Sequence, residues 1–118
     1  MKRTIIQDPG VTEVLQNCGV SDERLRDAEN AILRGSGTTV AGTGGLKKIR
    51  CGSTGKGKSG SVRIMFADYP RVGRTYLLAA FGKNERANLS KADRNALYAI
   101  KRLLDGLMER LNADEKKE

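Results

Sequence analysis

The clearest pattern in the chain lies near its C-terminal end. Ala96, Leu97, Ile100, Leu103, Leu104, Leu107 and Leu111 recur at helical spacing, with charged residues between them. Ser90 and Asp93 stand where a capping box would start that helix, and Gly106 weakens its middle slightly. Upstream, Arg74-Thr-Tyr-Leu-Leu-Ala-Ala-Phe81 is apolar enough for a strand in the middle of a sheet. Ser61-Val-Arg-Ile-Met-Phe-Ala67 alternates as a strand does, and Asp68 to Gly73 has turn chemistry. Leu46 to Arg50 is short and partly alternating.

The N-terminal third predicts a strand over 2–7 and two helices. Asp8-Pro9 reads as an N-cap with proline at the first helical position, and Gly19 closes that helix after about Asn17. Ser21 offers a second N-cap, followed by Leu25, Ala28, Ile32 and Leu33 at helical spacing. Gly35 and Gly37 end the second helix, and residues 35–45 and 51–60 read as loops. The order β-α-α-β-β-β-α predicts a small α+β domain: a mostly antiparallel sheet, N-terminal helices, and a long C-terminal helix packed on it. The helices are expected on one face, because a sheet face and each apolar stripe need burial. One domain over 1–113 and a charged tail over 114–118 are expected.

Composition narrows the function. The 118 residues contain no Trp, two Phe and three Tyr, so the core rests on aliphatic side chains. The net charge of +8 points to a polyanionic partner, nucleic acid first. No basic amphipathic anchor, signal segment or transmembrane-length run is visible, so a cytoplasmic protein without membrane contact is expected. Histidine is absent, which removes the commonest neutral-pH acid/base and the commonest zinc ligand. Cys18 reads as a helix-end packing residue. Cys51 follows bases that would lower its pKa, but a thiol without histidine is a poor candidate for catalysis. No metal or cofactor is expected.

Residues 52–59, GSTGKGKS, match the phosphate-loop pattern GxxxxGK[ST], and Asp68 after Ile64-Met65-Phe66-Ala67 imitates its metal-holding aspartate. The context is wrong. A phosphate loop runs from a parallel strand into a helix, and here a strand follows within a few residues, leaving no room for the crossover helix.

From Asn30 to Ala67 there is no Asp or Glu, while Arg34, Lys47, Lys48, Arg50, Lys56, Lys58 and Arg63 fall in that span. Solvation of a hairpin rim would account for some of these. Three features favour a site instead: glycines beside the bases admit a polyanion backbone, Arg63 lies within a strand, and alternation puts Lys48 and Arg50 on one face. Ile49 then points to the core, with Lys47 at the margin. Such a cluster suits RNA cleavage. The ribose 2′-OH is an internal nucleophile, arginine grips phosphate bidentately, and lysines crowded by other cations can serve as base or acid.

The blocks Gly42-Thr-Gly-Gly-Leu-Lys-Lys-Ile-Arg50, Gly55-Lys-Gly-Lys-Ser-Gly60, Arg63-Ile64, Tyr76-Leu-Leu78, Gly82-Lys-Asn-Glu85 and Asn88-Leu-Ser90, in this order, resemble the RelE/ParE toxin superfamily and its HigB-type branch. The resemblance implies the RelE-like fold and the toxin of a type II toxin–antitoxin system. It further implies a ribosome-dependent mRNA endonuclease that inhibits translation, restrained by a helix-turn-helix antitoxin. By position, Arg63 would stabilise the transition state, Lys56, Lys58 and Lys83 would include the acid and the base, and Lys47, Lys48 and Arg50 would position RNA. Ser61 departs from the usual second glycine, Phe81 stands where tyrosine is common, Ala67 lacks a second aromatic, and no tyrosine lies near Leu89 and Ser90 to stack on a base. Phe66 and Phe81 read as core. A gyrase-directed inhibitor of the ParE type, or a degenerate toxin acting only as an antitoxin-bound repressor component, are the alternatives.

Overall fold

The computed structural model describes residues 3–52, 62–82 and 89–116. Its elements are β1 (Thr4–Gln7), α1 (Pro9–Asn17), α2 (Asp22–Leu33), β2 (Thr38–Thr39), β3 (Lys47–Cys51), β4 (Val62–Tyr69), β5 (Arg74–Phe81) and α3 (Lys91–Lys116). A single 3-10 turn over Pro70–Val72 joins β4 to β5.

Local chemistry sets the helix ends. The Asp8 side chain accepts from the Gly10 amide at 2.8 Å, with Pro9 supplying a fixed φ at the first position. Ser21 accepts from the Arg24 amide at 3.2 Å. Ser90 and Asp93 form the reciprocal box: the Asp93 amide donates to Ser90 Oγ at 3.0 Å, and the Ser90 amide to Asp93 Oδ2 at 3.2 Å.

The five strands form one sheet in the order β1-β5-β4-β3-β2. β3, β4 and β5 are consecutive antiparallel neighbours, and β2 adds an antiparallel edge on β3. β1 pairs with β5 in parallel, from Thr4 opposite Arg74 to Gln7 opposite Leu77. The two-residue β2 lies inside the stretch expected as loop, and the parallel edge qualifies the antiparallel expectation. β4 and β5 slip register between Met65 and Phe66: Met65 faces Ala79 and Phe66 faces Leu77, so Leu78 bulges out of the ladder.

Alternation gives the sheet two apolar faces. On one, Val62, Ile64, Phe66, Leu77, Ala80 and Cys51 pack with Val11 and Leu15 of α1 and Ala28 and Ile32 of α2. On the other, Leu46, Met65 and Ala67 pack with Leu97 of α3. The expectation of helices on one face only is therefore corrected. Two helices cover one side and α3 part of the other, since β4 is apolar at nearly every position and needs burial on both.

α3 meets the sheet along the edge of its stripe rather than the centre. Leu97 and Met108 are buried, while Leu103 and Leu107 are 71% and 50% exposed. Along that helix, Tyr69 donates to Asp105 at 2.7 Å, Lys101 bonds the same carboxylate at 2.6 Å, and the Lys101 ammonium lies 5.4 Å from the Tyr69 ring centre. Burial opposes charge on Asp105, but the hydrogen bonds from Lys101 and Tyr69 and the charges of Lys101 and Arg102 outweigh it and hold the carboxyl below its ordinary value. No described helix is long and apolar enough to cross a membrane.

Candidate nucleic-acid interface

The part of the second face that α3 leaves uncovered is a groove. It has a volume of about 230 Å³ and is bounded by Thr38, Thr39, Val40, Ala41, Lys48, Arg63, Met65, Phe81, Leu89 and Arg94. A second depression adjoins it, lined by Gly37, Thr38, Lys48, Ile49, Arg50 and Arg63. Lys48 and Arg63 border both, and so stand on the ridge between them.

Strand pairing places these cations. Arg50 lies directly opposite Arg63 in the β3–β4 ladder, and Lys48 opposite Met65. Paired positions of this kind are separated by about 4.5–5.5 Å between Cα atoms. Like charges directly opposed across a ladder destabilise it. A phosphate between the two arginines would turn that repulsion into attraction. Lys48 and Arg50 are exposed and Arg63 is half-buried, which suits a contact made from the strand bed.

The floor is apolar. Met65 is buried, and Phe81 and Leu89 are partly covered. Phe66 is core on the helix side, as the sequence suggests. Phe81, read from the sequence as core, packs against the Leu46, Met65, Ala67 and Leu97 cluster and also lines the groove.

The structure brings together Lys48, Arg50 and Arg63. It does not bring Lys47 with them: Lys47 pairs with Phe66, a residue of the α1/α2 core, and borders neither depression. Lys56, Lys58 and Lys83 lie outside the described residues. Cys51 is buried, with its thiol 3.6 Å from the Arg24 carbonyl. Burial pushes its pKa up, the carboxylates of Asp27 and Glu29 add to this, and Arg24 opposes it. The lowering expected from neighbouring bases is therefore overturned.

The phosphate-loop resemblance dissolves in the same geometry. β3 and β4 are adjacent antiparallel strands, with no helix between them in the described residues. Asp68 is engaged by the Thr75 hydroxyl and the Arg3 guanidinium, each at 2.6 Å, as a bond between strands.

Arg94 is the groove residue that reasoning from sequence missed. It enters from the first turn of α3. The signal was present: Arg94, Leu97, Lys101, Leu104 and Met108 share one helical phase, so Arg94 extends the side that meets the sheet. The Gly42-Thr43-Gly44 loop makes room for it. Gly42 and Gly44 have φ of 77° and 75°, and a Cβ on either would come within 3.3 Å of Arg94 Cδ and 3.1 Å of Tyr98 Cδ1 respectively. Thr43 is fully buried and donates to the Val40 carbonyl at 2.6 Å. These glycines thus seat α3 against the loop.

Among known protein families, the one described as the RelE toxin of the RelE/RelB toxin–antitoxin system matches residues 9–116.

Proposed function

Because the chain belongs to the RelE toxin family of toxin–antitoxin systems, we propose that it is a cytoplasmic, ribosome-dependent mRNA endonuclease of the HigB type that halts translation. The observation that carries this reading is the opposed pair Arg50 and Arg63, with Lys48 on the same face, above an apolar floor.

In the proposed reaction the ribose 2′-OH attacks its own phosphate. The bond to the 5′ oxygen breaks, leaving a 2′,3′-cyclic phosphate and a 5′-OH. Arg63 donates to the phosphate oxygens as charge builds there, and it keeps its own charge throughout. Lys48, on the ridge beside Arg63, and Arg50, in the adjoining depression, hold the RNA strand. One of Lys56, Lys58 and Lys83 takes the 2′ proton and another returns a proton to the leaving oxygen. The ribosome supplies an ordered substrate, so cleavage of naked RNA is weak. A small helix-turn-helix antitoxin restrains the enzyme.

The test is expression of wild type and Arg63→Ala, with 5′-end mapping of cellular mRNA. Wild type should arrest growth with cuts inside translated codons. Arg63→Ala should lose roughly 10²–10³-fold in cleavage, the usual cost of removing a donor to a developing oxyanion, with its melting temperature little changed. Arrest with intact mRNA and DNA damage would indicate a gyrase inhibitor, and absence of arrest a binder that serves only the antitoxin; either result overturns the nuclease.

A further inference from the structure

Arg94 reaches the groove from a different element than the other cations. Lys48 comes from β3, Arg63 from β4 and Arg94 from α3, and all three border one depression. The Arg94 Nε is inaccessible to solvent and has no hydrogen-bond partner among the described residues. A guanidinium keeps its proton at any ordinary pH, so this N–H cannot be silenced by titration. Leaving such a donor buried and unpaired is costly, and a small shift of the side chain on binding would let an acceptor in the groove satisfy it.

The geometry points to Arg94 as a substrate-contacting residue that grips the RNA phosphate next to the scissile one, while the base of that nucleotide rests on Met65, Phe81 and Leu89. This rests on the nuclease reading above and adds a residue to it. The arrangement of the two depressions supports the assignment. Arg63 and Lys48 stand on the ridge between them, where the reacting phosphate would lie. Arg50 borders only the depression on one side and Arg94 only the depression on the other. A strand crossing the ridge would therefore meet one flanking arginine on each side. The apolar floor lies on the Arg94 side, which gives a base somewhere to sit without an aromatic stacking tyrosine.

A purely structural Arg94 would brace α3 and leave RNA affinity alone. Fluorescence anisotropy distinguishes the two, using a short fluorescein-labelled single-stranded RNA with 2′-O-methyl riboses that cannot be cleaved. Wild type, Arg94→Gln, Arg94→Lys and Arg63→Ala are titrated across a range of salt. Arg94→Gln keeps the Cβ and Cγ methylenes and a carbon at the Cδ position beside Gly42, and should melt like wild type. It should bind roughly 10-fold to 100-fold more weakly, the usual cost of one charge-assisted hydrogen bond. The slope of log affinity against log salt should fall by about 0.7, the signature of one lost phosphate contact on a single strand. Arg94→Lys should restore the slope and part of the affinity.

Unchanged affinity and slope in Arg94→Gln, with binding weakened in Arg63→Ala, would overturn the role of Arg94 and leave the groove reading standing. If neither variant weakens binding, the groove reading fails as well.

Discussion

The two faces of the sheet are built from the same strands and serve opposite ends. On the α1/α2 side, Val62, Ile64, Phe66, Leu77 and Ala80 are all buried, and the face is apolar. On the α3 side, burial stops partway. Leu46 and Ala67 are covered, and beyond Met65 the surface opens onto Lys48, Arg50 and Arg63. In β4, Val62 and Ile64 point to the core while Arg63 between them borders the groove. A small domain thus keeps its stabilising contacts and its charged site within one residue of each other in sequence, and a sheet's thickness apart in space.

Substitutions can break that contrast, and the largest effect is expected on the apolar α1/α2 face. Phe66→Ala should cost about 3–5 kcal/mol, the usual price of a large core truncation, seen as a lowered urea midpoint. Cleavage per folded molecule should stay near wild type, and a large loss there would mean that the faces are not independent. Gly44→Ala comes next: strain at φ of 75° and the close approach of Tyr98 should cost about 1–3 kcal/mol. Hydrogen exchange should then rise first in α3.

On the charged face the sign should reverse. Arg50→Met removes one of two opposed arginines and should stabilise the fold by about 0.2–1 kcal/mol while weakening RNA binding. Melting and anisotropy on the same sample would check both halves.

Asp105 gives a smaller, pH-dependent effect. Its folded pKa is depressed, so its stabilisation is present above the ordinary aspartate value of about 3.9 and fades as pH falls through the folded value. The stability gap between wild type and Asp105→Asn should therefore narrow on acidification from neutral pH; a gap that widens would contradict the assignment. Smallest of all, Leu103→Lys on the exposed flank of α3 should change stability by no more than about 0.5 kcal/mol.

Much of this was legible in the sequence. The caps at Asp8, Ser21 and Ser90 could be read because capping is local chemistry, and the common face of Lys48 and Arg50 because alternation has a fixed period. The pairing of β1 beside β5 was not legible, since nothing in Thr4–Gln7 names a partner 70 residues away. The apolar stripe on α3 includes Leu103 and Leu107, which stand exposed, because counting leucines does not say which side of a helix will be covered. Arg94 stands outside that apolar stripe, so the pattern of leucines does not mark it.

The extra residue at Leu78 has a consequence for how this protein tolerates change. It acts as a frameshift within a single strand: every side chain after it is moved to the other side of the sheet. One residue inserted between Ala79 and Ala80 would turn Phe81 toward α1 and α2 and deliver Ala80 to the groove side, although no amino acid lining the groove had been altered. The lining of the site is thus fixed by a count of residues as well as by their kinds, and a lengthened β5 should lose function more completely than any single replacement within it.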